Sequence, residues 1–184
     1  CILLRSPQRL ADYGRSVGDW LVHWAAAAPE RPFLLERGEN GSWMGVTYSE
    51  ALQQVRRIAA WLLHVGCSAE RPVAILSDNS VRHGLLILAS MHVGIPVAAI
   101  SSAYSLMSTD FGKLKAVITQ LKPGVLYVSD AVGFAPALAA VRDLHNGVLA
   151  DNWPDILNTE FDEAVQRAFD SVGPDSVAKL LFTS

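Results

Sequence analysis

Three short runs of uninterrupted apolar residues constrain the fold of this chain more than any other feature. The runs occupy residues 73–76, 97–100 and 125–128. Each is too short for an ordinary helix, and strands without polar alternation are typical of a sheet covered on both faces. Because segments with helical periodicity separate the runs, the sequence predicts an α/β fold. We expect a mostly parallel sheet with helices on both faces and ligands beyond the carboxyl ends of the strands.

The separating segments carry helix signals at their ends. Asp-Asn-Ser at residues 78–80 opens a helix that we expect to reach residue 93, and Ser-Thr-Asp at residues 108–110 opens another that stops before Pro123. Serine and aspartate side chains accept hydrogen bonds from the free amides of a first helical turn. The inward residues of the second helix should be Phe111, Leu114, Ile118 and Leu121.

Before the first run we predict a docking helix, an antiparallel hairpin and a long helix. Helical spacing over residues 18–28 places Trp20 and Trp24 on an aromatic stripe, and strands 33–36 and 43–46 flank a glycine-containing turn. Thr47 and Glu50 have the spacing of a capping box, and Gly66 ends the helix that follows. Its expected inward face is Leu52, Val55, Ile58 or Ala59, and Leu62.

After the third run the pattern is weaker. We expect a helix near residues 135–144, a loop over residues 146–158, a last helix capped by Thr159, and a final strand at residues 178–182. The inward face of the last helix should contain Phe161, Ala164, Val165, Ala168 and Phe169.

Composition narrows the class of protein. The 184 residues suit one domain or a piece of one, and 51% are hydrophobic while 18% are charged. A net charge of −3 argues against a nucleic-acid partner. Residues 83–109 contain no Lys, Arg, Asp or Glu, yet Gly94 and Pro96 interrupt them, so we expect a helix and a buried strand and no membrane span.

Few residues suggest chemistry by themselves. Cys1 and Cys67 lack metal-ligand spacing, and we interpret Cys67 as a buried thiol of a cytoplasmic protein. The histidines form no metal-binding motif, and His83 and His92 are expected to be interior or end-capping groups. No GxGxxG sequence is present, and we predict no GxSxG nucleophile elbow. We therefore predict no catalytic residue and no metal ligand within the chain.

The last ten residues are the most informative. An apolar run leads into Phe182, Thr183 and Ser184 at the end of the sequence. These three match the start of the aromatic-Thr-Ser-Gly-Ser/Thr-Thr-Gly-x-Pro-Lys phosphate loop, and Asp175 and Ala178 match its Asp-x-x-Ala lead-in. Further matches extend back to about Gly18: Pro29-Glu30-Arg31-Pro32, Thr47-Tyr48-Ser49-Glu50, Val73-Ala74-Ile75-Leu76 with Asn79-Ser80, and Gly94-Ile95-Pro96-Val97. In order and spacing the chain resembles the amino-terminal part of adenylate-forming acyl-CoA synthetases.

That resemblance implies a ligase that uses ATP, Mg²⁺ and coenzyme A to convert a small carboxylic acid into its thioester. Residues 1–184 would be a partial AMP-binding domain that ends where the phosphate loop starts, with Thr183 and Ser184 as the cofactor-binding residues. The rest of the loop, the Mg²⁺ ligand and the adenylation lysine would lie beyond it. We therefore expect the chain alone to be inactive and to bind no cofactor.

Residues 102–106 and 110–115 resemble the feruloyl-CoA synthetase branch, which implies an aryl acid substrate. Tyr104 then either lines the mouth of the acyl pocket or anchors a loop.

Two other interpretations stay open. The chain suits a non-catalytic α/β module that binds a partner or a small ligand, or a flavodoxin-like cofactor domain. An exposed apolar sheet edge would also favour a homodimer.

Overall fold

A computed structural model describes residues 5–9 and 11–182. The chain forms six strands: β1 (Pro32–Arg37), β2 (Trp43–Thr47), β3 (Val73–Leu76), β4 (Val97–Ala99), β5 (Val125–Val128) and β6 (Val148–Ala150). The helices are α1 (Val17–Ala27), α2 (Tyr48–His64), α3 (Val81–His92), α4 (Ala103–Leu106), α5 (Gly112–Leu121), α6 (Ala135–Val141), α7 (Trp153–Leu157) and α8 (Glu163–Ser171).

Strands β3 to β6 form one parallel sheet in the order β4-β3-β5-β6. The strand order confirms the predicted α/β fold. All four residues of β3 and of β5 are buried, because helices cover both faces of the sheet. Alternate side chains enter the two cores. Val73 and Ile75 pack with α2 and α3 on one face, while Ala74 and Leu76 pack with α5 and α6 on the other.

The hairpin and its following helix match the sequence. Strands β1 and β2 pair antiparallel. The Thr47 hydroxyl accepts from the Glu50 amide, and the Glu50 carboxylate accepts from the Thr47 amide, which completes the capping box. Gly66 ends the segment with φ of +78°, a left-handed conformation that suits glycine. None of the helices in the described part of the chain has both the length and the apolar character that a membrane crossing requires.

The aromatic stripe of α1 was predicted on the wrong face. Helix α1 docks through Gly18 and Leu21, whereas Trp20 and Trp24 are exposed. A Cβ atom at Gly18 would lie 2.9 Å from the Phe169 ring, so only glycine allows the helix to approach this closely. Two indole rings do not fit into such a contact.

The predicted loop at residues 146–158 is wrong, because it contains β6 and α7. Strand β6 has only three residues, too few for a periodic signal, and pairs in parallel with β5. Gly147 allows the pairing, since a Cβ atom there would lie 2.3 Å from the Pro123 carbonyl oxygen. Trp153 of α7 is buried and packs edge-on against Tyr127.

Two predicted helix caps are shifted. Helix α8 is capped by Asp162, which accepts from the Ala164 amide, and not by Thr159. Phe161 consequently precedes the helix and is exposed, whereas Val165 and Phe169 are buried as predicted. Ser108 and Asp110 do accept hydrogen bonds from the amides of residues 111 and 112, but α5 begins after the left-handed Phe111.

The predicted strand at residues 178–182 forms only one bridge to the sheet. Lys179 pairs in parallel with Val97. The Val97 amide donates to the Ala178 carbonyl oxygen, and the Leu180 amide donates to the Val97 carbonyl oxygen. Leu180 and Phe182 then lie beside Pro72 and Leu121, near the amino ends of the strands. Within the described residues no backbone hydrogen bond joins Ala99 to this segment, so the next rung is not formed.

A clamp ties residue 15 to the end of α8. The Arg15 guanidinium donates to the carbonyl oxygens of Phe169 (2.8 Å), Asp170 (3.2 Å) and Val172 (2.8 Å), and pairs with Asp19. It also lies 4.7 Å above the Phe169 ring. The imidazole of His92 stacks on the same ring at 4.3 Å. These contacts join α1, α3 and α8.

The buried His92 should make the stability of the chain depend on pH. Its Nδ1 atom has no hydrogen-bond partner in the described part of the chain, and burial lowers the pKa of His92 from 6.5 to about 4. The unfolded chain therefore binds a proton that the folded chain excludes. The free energy of unfolding should be constant above pH 6.5 and fall by about 3 kcal/mol between pH 6.5 and pH 4.

Urea unfolding at a series of pH values measures this loss. His92→Phe keeps an aromatic ring on Phe169 and should remove most of the loss, while His23→Phe on the surface of α1 serves as the control. An unchanged pH dependence in His92→Phe would show that His92 is not the titrating group.

Candidate functional site

Polar side chains gather at the carboxyl ends of β3 and β4, where parallel sheets of this kind bind ligands. They enclose a cavity of about 270 Å³. Its lining residues are Ser77, Asp78, Asn79, His83, Ala99, Ile100, Ser101 and Ser102. A larger cavity of about 430 Å³ lies between α6 and β6, but its lining is mostly apolar and includes none of the residues of the polar cavity. The polar cavity is therefore the candidate site.

A buried pair of side chains forms the floor of the polar cavity. The Nδ1 atom of His83 lies 2.8 Å from the Ser77 hydroxyl and 3.3 Å from the Asp78 carbonyl oxygen. Because a carbonyl can only accept, a proton on Nδ1 satisfies both contacts. The Nε2 atom then keeps its lone pair, and it makes no hydrogen bond to any described residue. His83 thus offers an acceptor to a ligand in the cavity.

Burial keeps this imidazole neutral at pH 7. Desolvation lowers the pKa of His83, the hydrogen bond to the Asp78 carbonyl opposes this, and the positive charge of Lys179 lowers the pKa further. The sequence prediction of His83 as an interior group is confirmed.

The start of α3 is held by two side chains. Ser80 accepts from the His83 amide at 3.1 Å, and Glu36 of β1 accepts from the Val81 amide at 2.8 Å. A carboxylate at a helix amino terminus is favourable because the free amides carry partial positive charge. The hairpin thereby fixes the loop that carries Ser77 and Asp78.

The loop after β4 forms the opposite wall. Its first residues, Ser101 and Ser102, line the cavity, and the short helix α4 follows. Tyr104 is partly buried against the α5–α6 core, and the Lys113 ammonium lies 5.2 Å from its ring centre. Tyr104 is not among the lining residues, so the contacts favour its interpretation as a loop anchor.

The cavity as described does not fit a phosphate group. Its lining offers hydroxyls, an amide, an imidazole and the Asp78 carboxylate, while no lysine or arginine lines it. Among the described residues no group of three His, Cys, Asp or Glu side chains has a geometry for a metal ion. These walls are suited to hydroxyl and amide groups, and a phosphate would need cationic or amide donors from elsewhere.

The predicted cofactor-binding residues, Thr183 and Ser184, lie outside the described residues. Of their lead-in, Asp175 and Ala178 are exposed, and Phe182 lies near the amino ends of the strands. Among the described residues, Phe182 does not line the polar cavity.

Sequence analysis missed Ser77 and the role of His83 in this site. The available signal was their position, because a serine directly after a buried strand and a histidine six residues later bracket the turn into a helix. Dinucleotide and hydrolase motifs do not contain this spacing.

The His83 titration tests the position of Lys179. In ring-detected NMR the pKa of His83 should lie below 6.5, and Lys179→Met should raise it because a nearby positive charge is removed. Lys122→Met removes a charge elsewhere and should leave the titration unchanged. If both variants titrate like the parent sequence, Lys179 is not near His83.

Comparisons with known proteins address the fold and the family. The N-terminal domain of FACL13 from Mycobacterium tuberculosis superposes with a TM-score of 0.72 at 20% identity, over 93% of this chain and 42% of that one. VinN in complex with L-aspartate superposes with a TM-score of 0.69 at 20% identity, over 94% of this chain and 45% of VinN. The third structure is a fatty acyl-adenylate ligase from L. pneumophila in complex with acyl adenylate and pyrophosphate. It superposes with a TM-score of 0.67 at 17% identity, over 92% of this chain and 28% of the ligase.

At these identities the superpositions show a shared fold, and the chain spans less than half the length of each protein. No curated protein gives a significant match. The family model for AMP-binding enzymes matches residues 21–184, which is most of the sequence. The chain therefore belongs to the AMP-binding enzyme family.

Proposed function

We propose that this chain is the amino-terminal part of a ligase that activates a carboxylic acid with ATP and transfers the acyl group to coenzyme A. The observation that carries the proposal is the family match over residues 21–184. The superposition on a ligase that holds acyl adenylate and pyrophosphate supports the same chemistry. Within this proposal, residues 1–184 are a partial AMP-binding domain that ends at the start of the phosphate loop.

The chemistry explains why two reactants must meet at one edge of the sheet. A carboxylate is a poor electrophile, so its oxygen first attacks the α-phosphorus of ATP, which gives an acyl adenylate and releases pyrophosphate. The thiol of coenzyme A then attacks the acyl carbon and AMP leaves. Mg²⁺ would neutralise the phosphate oxygens in the first step. Both steps need donors that are already oriented toward developing negative charge.

The end of the chain is proposed to supply the first of these donors. If the Val97–Lys179 register continues along β4, Thr183 lies level with Ser101 and Ser184 with Ser102. The hydroxyls and amides of Thr183 and Ser184 would then face ATP phosphates at the carboxyl edge. A right-handed crossover from β6 over the α7–α8 face also leads to the free edge of β4. The cationic groups that the polar cavity lacks would come from the chain beyond Ser184.

The proposed substrate is an aryl acid such as ferulate. Its support is the likeness of residues 102–106 and 110–115 to feruloyl-CoA synthetases. VinN binds L-aspartate and the ligase from L. pneumophila holds an acyl adenylate, so proteins of this fold accept different carboxylic acids. The cytoplasm is the proposed location, because ATP and coenzyme A are supplied there and Cys67 is a buried free thiol.

Carboxylate-dependent exchange of pyrophosphate into ATP tests the proposal. The parent protein that contains this chain should catalyse exchange with ferulate and should form the thioester when coenzyme A is added. The 184-residue chain alone should show neither activity, since it spans only 42% of the FACL13 domain.

The same assay with L-aspartate and with octanoate tests the identity of the substrate independently of the type of reaction. Exchange with one of these acids and not with ferulate would reject the aryl acid as the substrate, while the ligase activity would be supported. Absence of exchange with every acid would reject the ligase.

A further inference from the structure

The cavity between α6 and β6 has no part in the proposed function. Its volume is about 430 Å³, which is within the range of small-molecule binding sites. Apolar walls with a few polar side chains are typical of such sites. We call it the α6 cavity, and the lining residues that matter here are Leu126, Leu149, Ala135, Ala139, Arg142 and His145.

Small side chains on α6 leave this space open. Leu126 of β5 and Leu149 of β6 are paired neighbours, so their side chains lie on the same face of the sheet, toward α6. Ala135 and Ala139 are four residues apart and line the cavity from the helix. Alanine methyl groups are too short to fill the gap, so helix and strand enclose a cleft. Leu149 on the edge strand consequently stays 44% exposed.

Two polar side chains lie where α6 ends and β6 is about to begin. Arg142 starts a short 3₁₀ turn, and His145 directly follows this turn. The Nδ1 atom of His145 accepts from the Gly147 amide at 3.1 Å. Burial lowers the pKa of His145, so the ring is neutral at pH 7 and carries its proton on Nε2. His145 therefore offers an N–H donor beside the Arg142 guanidinium.

No carboxylate of the described residues neutralises Arg142. The ion pairs in this part of the chain join Arg15 to Asp19 and Arg167 to Glu163. The lining of the α6 cavity contains no acidic residue. A guanidinium binds a carboxylate through two parallel hydrogen bonds, which is a strong and directional contact. The cavity thus has a site for an anion at one end and apolar walls elsewhere.

We propose that the α6 cavity binds a monocarboxylic acid with an apolar body, such as a medium-chain fatty acid. Arg142 and the Nε2–H of His145 hold the carboxylate, and the alkyl chain lies between Ala135, Ala139 and Leu149. From Ala135 to Arg142 the helix rises about 10 Å, which is similar to the length of an extended medium-chain acid. The inference rests on the residues of this cavity and is independent of the proposed ligase activity.

The walls favour an alkyl chain over a segment of protein. A protein segment would bring backbone amides and carbonyls, which require hydrogen-bond partners, against the side chains of alanines and leucines. An alkyl chain has no such groups. Its single charge meets the only cationic group in the lining, Arg142.

Titration of the 184-residue chain with octanoate at pH 7 tests the proposal. The ¹³C-labelled methyl signals of Leu126 and Leu149 should shift and reach saturation. Arg142→Met should weaken binding by about tenfold or more, because the charged partner of the carboxylate is lost. Arg31→Met is the matched control, since Arg31 is exposed and does not line the cavity.

Two further measurements separate the carboxylate contact from loss of structure. Octanol, which lacks the charge, should bind about tenfold more weakly than octanoate. Ala139→Phe fills the cavity and should abolish the binding of both compounds, while circular dichroism checks that each variant folds. Equal affinity for octanol and octanoate, or octanoate binding that Arg142→Met leaves unchanged, would overturn the proposal.

Thiol labelling tests the α6 cavity in the parent protein. Leu149→Cys, with the other cysteines of the protein replaced, should react with N-ethylmaleimide. Octanoate should slow this reaction by about fivefold at saturation, and Arg142→Met should remove the protection. A thiol that does not react even without octanoate would show that the rest of the chain covers the cavity. That result, or a rate that octanoate does not change, would overturn the proposal, whereas neither depends on whether the protein is a ligase.

Discussion

The burial of strand β3 is the constraint on which the rest of the structure depends. Its backbone pairs with β4 on one side and β5 on the other, and its four side chains are buried in two different cores. A strand in this position needs helices above and below it. Right-handed crossovers then fix where α3 and α5 lie. The polar turn at Ser77 is placed at the carboxyl edge for the same reason, since β3 ends there.

This constraint also explains what the sequence could predict. The apolar runs that became β3, β4 and β5 are unbroken because both faces of the sheet are covered. The capping box at Thr47 and the left-handed Gly66 are local features, so they could be identified without knowledge of the fold. The family resemblance was confirmed by the match over residues 21–184, whereas preference for an aryl acid stays a prediction.

The features that sequence analysis missed depend on distant contacts. Strand β6 is held by its pairing with β5 and by the close approach of Gly147 to Pro123. The outward direction of Trp20 follows from the fit of Gly18 against Phe169. The Ser77–His83 pair forms because a turn brings together two residues that share no known motif. The contacts of Gly147 and Gly18 have no local signature, and the Ser77–His83 pair has only its position around the turn into a helix.

The central claim concerns the free edge of β4. In the proposed ligase, residues 179–182 continue as a parallel strand along β4 and carry Thr183 and Ser184 to the polar cavity. In the 184-residue chain they leave this edge after one bridge. The two positions of residues 179–182 bring different residues of this segment next to β4. They can therefore be distinguished by disulfide formation, which requires Cα atoms within about 7 Å.

The decisive measurement is oxidative cross-linking in the parent protein, in a background without Cys1 and Cys67. Ala99→Cys with Leu181→Cys should form a disulfide, because these residues are neighbours if the Val97–Lys179 register continues. Ala99→Cys with Val177→Cys is the control, since the same register separates them by about 13 Å along the strand. A disulfide between Glu70→Cys and Phe182→Cys, with none between residues 99 and 181, would contradict the account. It would show that the end of the segment stays near the amino ends of the strands.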